Sequence, residues 1–158
     1  DEYVANKTIL GQEPTEKKKC QISRVIPEKI QIRDVQEPFY KGKGEFRFYS
    51  KVASDNGGIE AKKVFPAEGH YSLSDKTGEN ELTIGEEIFN GFAEDMLSIQ
   101  IGGLELDTFD ADDKLCTYKR IFKGRTESWV GKYSPDKETI NIQDVGDWRV
   151  WYKIEYAG

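Results

Sequence analysis

Five carboxylates fall within nine residues in the segment Glu105-Leu106-Asp107-Thr108-Phe109-Asp110-Ala111-Asp112-Asp113. The segment follows a strongly apolar stretch, Leu97-Ser98-Ile99-Gln100-Ile101. Carboxylates this close repel one another. The segment must either splay them into water or neutralise them with a cation, and hard oxygen donors suit Ca²⁺. Asp107, Asp110, Asp112 and Asp113 can give monodentate or bidentate oxygens, and backbone carbonyls would complete a shell of about 6–8. The spacing excludes an EF-hand, which needs Gly at loop position 6, Glu at 12 and a helix on each side. The alternative is an acidic turn solvated at the surface.

Other chemistries have less behind them. The single histidine, His70, lies between Gly69 and Tyr71 with no G-x-S-x-G motif to accompany it. Glu105 with Asp107 or Asp110 has the composition of a glycosidase pair, but such a pair is defined by its separation across a cleft. No glycine-rich phosphate loop is present: Gly102-Gly103 lies within a strand pattern and Gly57-Gly58 within a turn. The reading is therefore non-catalytic. Cys20 and Cys116 belong to no C-x-x-C or Cys/His cluster, which argues against zinc. They either form a disulfide, worth about 4 kcal/mol in the chain-entropy model, or remain as two buried thiols.

Two further groups of residues could bind a partner. Trp129, Tyr133, Trp148, Trp151 and Tyr152 cluster late in the chain. Trp129 and Trp151 are candidate stacking platforms for a glycan, and the alternative for these rings is core packing. Lys17 to Lys19, Lys41, Lys43, Lys62 and Lys63 could face a phosphate or a membrane, each worth about 1 kcal/mol near an anionic surface. The alternative is a set of ordinary solvated lysines.

These groups must be held by a fold, and composition bounds it. The chain has 158 residues, enough for one domain with a real core. Aromatic residues make up 12%, too many for a disordered chain. The net charge of −6 argues against a duplex nucleic-acid binder, which carries a basic face. No apolar run approaches the roughly 20 residues that span a bilayer. The chain begins at Asp1 rather than Met, which points to processing or a longer parent, and the expectation is a piece of a larger secreted or cell-surface protein.

Residues 1–19 are polar and charge-rich and read as an arm or linker, with the domain over 20–158. Ile30, Ile32 and Val35 suggest a strand. Glu45 to Val52 alternates, with Phe46, Phe48 and Val52 on one face. Ser54 to Gly58 and Asp75 to Glu79 read as turns. Leu82 and Ile84 make a short strand, and Gly85 to Asp95 suits a helical turn carrying Ile88, Phe89 and Phe92. Leu97, Ile99 and Ile101 share one face of a long strand. The shift to Leu104 and Leu106 after Gly102-Gly103 predicts a β-bulge. Strands follow over Leu115 to Phe122, Ser128 to Tyr133 and Thr139 to Ile142. The last strand alternates Trp148, Val150, Tyr152, Ile154 and Tyr156 against Arg149, Trp151, Lys153 and Glu155. Short strands separated by turns, with no long amphipathic helix, predict an all-β antiparallel sandwich of about eight strands.

The acidic segment and its flanks resemble the third calcium loop of C2 domains. Asp34-Val35-Gln36-Glu37-Pro38-Phe39, leading to Glu45–Val52, looks like the first such loop and its following strand. The resemblance covers roughly Ile30 to Tyr156. It departs from the family where Asp107-x-x-Asp110 replaces Asp-x-Asp, where Cys116 replaces a glycine, and where Lys41-Gly42-Lys43-Gly44 is extra. It implies an eight-stranded sandwich that binds calcium, anionic phospholipid or protein at one end. Asp34 and Glu37 would then join Asp107, Asp110, Asp112 and Asp113 around Ca²⁺. In that case the double substitution D110N/D113N abolishes any rise in melting temperature on adding millimolar Ca²⁺ after EDTA, and leaves the fold intact. A double variant that responds like its parent removes these residues from the ligand set.

Overall fold

Alternating burial with a period of two is the rule along the long strands, and it produces two packed sheets. The structure is a computed structural model that describes residues 22–33, 43–55, 58–74, 76–106, 113–135 and 148–156, with the backbone alone for Asp113. Eleven strands run through these residues: β1 Ile22–Ile32, β2 Gly44–Ser54, β3 Ile59–Phe65, β4 Tyr71–Leu73, β5 Glu81–Thr83, β6 Phe89–Phe92, β7 Met96–Glu105, β8 Asp113–Lys114, β9 Tyr118–Lys123, β10 Gly131–Tyr133 and β11 Trp148–Tyr156. One sheet runs β10-β11-β1, with β5 and β6 sharing the free side of β1. In the other, β2 pairs β7, while β3 and β4 share the outer side of β2 and β8 and β9 that of β7. Every pairing is antiparallel. Each sheet is four positions wide, so the sandwich has the eight positions that the alternation predicts. The proposed arm, residues 1–19, and the strand expected over Thr139 to Ile142 lie outside the described residues.

The core lies between the sheets. Phe46, Phe48 and Val52 of β2, Leu97, Ile99 and Ile101 of β7, and Trp148, Val150, Tyr152 and Ile154 of β11 are all buried. Phe48 is the hub. Its ring centre stands 6.3 Å from Phe46, 5.9 Å from Phe65, 6.3 Å from Tyr71 and 5.8 Å from Trp148 of the opposite sheet. Aromatic contacts of this kind add roughly 0.5–1.5 kcal/mol each beyond the area they bury.

Two expectations are corrected. The first is the bulge at Gly102-Gly103. The β2–β7 register runs unbroken from Phe46↔Glu105 to Ser54↔Leu97. The inward face continues through Gly103 and Glu105, so the apparent change of phase came from a glycine and a glutamate at inward positions. The glycines have another cause. A Cβ on Gly102 would stand 2.6 Å from the Tyr49 ring, and one on Gly103 would stand 2.7 Å from Phe48 and 2.9 Å from Leu115. The aromatic pair lies flat across β7 because β7 has no side chains there. On the other edge of β7 the register slips by one residue at the diglycine, from Ile101↔Tyr118 to Leu104↔Lys114, so the extra residue lies in Leu115–Thr117 rather than in β7. A second shift falls in β1 against β11, between Pro27 and Lys29.

The second correction is the helical turn over Gly85 to Asp95. Ile88, Phe89 and Phe92 have helical spacing, but the backbone is committed to β1. Ile84 N–H donates to Glu28 O, Gly85 to Pro27 O and Ile88 to Val25 O, and Phe89–Phe92 then pairs as β6. Other boundaries also moved. Leu115 to Thr117 interrupts the expected Leu115–Phe122 strand, and a 3-10 turn, Thr126–Ser128, precedes β10.

The end of the sandwich where β2 turns into β3 is locked by Asp55, whose φ is 49°. Its Oδ1 accepts from the amides of Glu94 (3.0 Å), Asp95 (2.9 Å) and Met96 (3.4 Å). Ser54 Oγ donates to Phe92 O at 2.8 Å, and Thr126 Oγ1 donates to Ala93 O. The approach at the diglycine is directly testable. G103A is expected to lower stability by about 1–3 kcal/mol, the range for overpacking a filled core, as a lower denaturant midpoint at unchanged slope. An unchanged midpoint would show that Phe48 does not need the space.

Candidate binding faces

The strand ends define where the acidic segments attach. Glu105 pairs with Phe46 on one side and Asp113 on the other. Ile32 pairs with Trp148, and its N–H donates to Asn80 O. A short turn, closed by Ser74 N–H to Glu79 O, joins β4 of one sheet to β5 of the other. The chain thus leaves β1 and β7, and re-enters β2 and β8, at one end of the sandwich. Asp34, Glu37, Asp107, Asp110 and Asp112 lie outside the described residues, as does the Asp113 side chain. Among the described residues no cluster of three His, Cys, Asp or Glu is placed to hold a metal ion.

Glu105 itself points inward and is only 1% exposed. Gly44 makes room for it: a Cβ there would stand 2.5 Å from Glu105 Oε2. Leu106 N–H donates to Glu45 O at 2.7 Å and fixes the root of the acidic segment. Burial of this carboxylate was not legible from composition, because its inward position depends on the strand register. Cys116 is exposed, which corrects the buried-thiol alternative for that residue. Cys20 lies outside the described residues.

The two tryptophans part company. Trp129 is 2% exposed, packs beside Phe122 at 6.3 Å and donates Nε1–H to Lys123 O at 3.1 Å. It has no face to offer a sugar, so its place as a ligand residue is corrected. Trp151 stands half-buried on the outer face of the β10-β11-β1 sheet. Lys29 Nζ lies 4.1 Å from its ring centre, so a ring ligand on that face would have to displace an ammonium.

Each sheet carries a depression: Arg24, Ile26, Glu28, Thr83, Gly85, Lys153 and Glu155 line one of about 410 Å³ on the β10-β11-β1 sheet, and a second lies on the outer face of the other sheet. Tyr49, Ser50, Lys51, Lys62, Lys63, Val64 and Gln100 line a depression of about 350 Å³. Its position follows from pairing. Tyr49↔Val64 and Lys51↔Lys62 are cross-strand neighbours on β2 and β3, and Gln100 faces Lys51 from β7. Gly102, opposite Tyr49, removes the side chain that would otherwise fill that part of the face. The strands of this sheet carry eight Lys or Arg against four Asp or Glu, although the chain as a whole is −6. Glu60 borders the depression: its Oε2 is 3.4 Å from Lys51 Nζ and its Oε1 3.9 Å from Lys62 Nζ. The Lys63 side chain leaves the other face of β3, opposite Ser50, and its Nζ is 2.9 Å from Glu86 Oε1 at the edge of the opposite sheet. Burial, with the charge of Glu86 adding to it, pushes the nearby Tyr71 phenol above its usual range.

No protein-family model matches the chain, and no curated protein matches it. Solved structures do. C2 domain A of plant extended synaptotagmin 1 aligns at TM-score 0.50 with 10% identity, over 87% of this chain and 94% of that one. A structure described as a C2 domain aligns at 0.41 with 17% identity, over 85% and 98%. Human GIVD cytosolic phospholipase A2, in complex with methyl gamma-linolenyl fluorophosphonate, aligns at 0.46 with 12% identity over 87% of this chain, which spans only 17% of that chain's length. The domain has a C2-like β-sandwich fold.

Proposed function

We propose that this domain is a non-catalytic binding module that docks on anionic phospholipid surfaces through the depression formed by β2, β3 and β7. The observation that carries the reading is the placement of Lys51 and Lys62 beside Tyr49 and Val64 on one face of the sheet. The lysines supply charge for phosphate oxygens. Val64, 46% exposed, supplies apolar contact between them. Tyr49 has an apolar body and a polar tip, which suits an interface that is wet on one side. The face is a sheet surface rather than an enclosed cleft, which favours a broad partner over a small substrate.

Calcium is the second element of the reading. Asp34, Glu37, Asp107, Asp110, Asp112 and Asp113 would supply oxygen-only donors of the kind that Ca²⁺ takes, and the strands that flank these residues begin and end at one end of the sandwich. The ion would order the acidic segment and bridge to an anionic partner. The glycan reading through Trp151 has less support, given the ammonium over its ring.

The test is co-sedimentation with phosphatidylcholine vesicles, with and without phosphatidylserine, in EDTA and then in Ca²⁺. The parent binds only the anionic vesicles, and more weakly as salt rises. K51Q/K62Q loses about 5-fold per lysine, roughly 25-fold in all, from ~1 kcal/mol each, at an unchanged melting temperature. A folded double variant that binds like the parent, or a parent indifferent to lipid charge, overturns the reading.

A further inference from the structure

Strand pairing sorts the charges of the β3-β2-β7-β9 sheet between its two faces. Directly paired residues share a face, so Lys62↔Lys51, Lys51↔Gln100 and Gln100↔Lys119 form one row across the outer side. Three strand spacings separate Lys62 from Lys119, about 14 Å. Six of the eight cations on this sheet stand outward: Arg47, Lys51, Lys62, Lys114, Lys119 and Lys123. Glu45 and Glu60 stand outward with them. Glu60 accounts for Lys51 and Lys62, whereas Lys119 is exposed and makes no ion pair with any described residue. Apolar exposure is concentrated on the same face. Ile121 at 48% and Val64 at 46% are the most exposed large apolar side chains among the described residues. Both point outward from this sheet, on its two edge strands β9 and β3.

A lysine on an edge strand discourages pairing with another chain, and Lys132 is such a residue on β10 of the other sheet. Ile121 works against that purpose, because an exposed apolar edge invites pairing. We infer that an anionic bilayer lies flat along this whole sheet face, from Lys62 and Val64 on β3 to Lys119 and Ile121 on β9, with the strands parallel to the membrane plane. This inference rests on the function proposed above and carries its contact to the far edge of the sheet. A cationic row of this length, with apolar side chains near both ends, fits an extended surface rather than one small ligand. Charge complementarity makes that surface anionic. Lysine stems and exposed Val and Ile supply apolar area while the ammonium heads reach phosphate, and interfacial binding grows with both. The acidic segments leave from the end of the sandwich, so they border the contact rather than lie beneath it.

The experiment compares K119Q, I121N and the parent on phosphatidylcholine vesicles containing phosphatidylserine, with K132Q as the control. Lys132 is an edge lysine whose nearest carboxylate, Glu28, lies 4.0 Å away on the opposite sheet, so K132Q changes net charge equally without touching the face. K119Q is expected to bind about 5-fold more weakly than the parent, with a shallower dependence on salt. I121N is expected to lose about 5-fold, from the apolar area that the bilayer covers, with the salt dependence of the parent. K132Q should bind like the parent. Melting temperatures confirm that each variant is folded. If K119Q or I121N binds like a parent that does bind, while K51Q/K62Q is weakened, the contact stops short of β9: this inference fails and the proposed function stands. If K132Q loses as much as K119Q, net charge is the cause and the inference fails. If the parent does not bind anionic vesicles, both fail.

Discussion

The rest of the structure depends on the close approach of β2 to β7 where Phe48 and Tyr49 face Gly103 and Gly102. Antiparallel neighbours at this spacing normally separate their side chains with two Cβ atoms. Here β7 gives up both, and the two aromatic rings lie across its backbone. The consequences run in opposite directions from one dipeptide, because successive strand residues point to opposite faces. Inward, Phe48 reaches Phe46, Phe65, Tyr71 and Trp148, and so ties the two sheets together. Outward, Tyr49 lies low over Gly102 and leaves the concavity that Lys51 and Lys62 flank. Core and binding face are two sides of one packing decision.

Charge is distributed with the same economy. Three of the outer strands are cationic: Lys62 and Lys63 lie on β3, Lys119, Arg120 and Lys123 on β9, and Lys132 on β10. Lysine on an edge strand discourages pairing with another chain. The uncharged β6 is instead shielded, with Ile59 of β3 packed against Gly91. The acids that make the chain −6 are left mainly to the connections and termini. The sheet face stays positive in an acidic protein, and the strongest negative density falls on the acidic connection between β7 and β8.

Much of the fold was legible because period-two alternation is a local property. β2 and β11 could be assigned, face by face, from the chain alone. The misreadings share a cause: they required knowledge of a neighbour. Gly103 and Glu105 broke the apolar pattern of β7 without breaking its register, so a packing glycine looked like a bulge. Ile88, Phe89 and Phe92 had helical spacing, but β1 offered their backbone a better set of partners. Trp129 looked like a platform until Phe122 was seen to cover it. The binding face was half visible. Lys62 stands out as half of a Lys-Lys pair, but only strand alternation shows that Lys63 faces the other way. Lys51 and Glu60 join Lys62 through cross-strand register and side-chain contact. The acidic segments were visible as composition, while their geometry lies outside the described residues.

What matters most is where an anionic surface touches this protein. Backbone amide shifts followed by NMR, on titrating zwitterionic bicelles and then bicelles containing phosphatidylserine, would locate the contact. The expected shifts are centred on Tyr49–Lys51, Lys62–Val64 and Gln100 and appear only with the anionic lipid. Shifts centred on Trp151 and the β10-β11-β1 sheet, or shifts equal for both lipids, would contradict it.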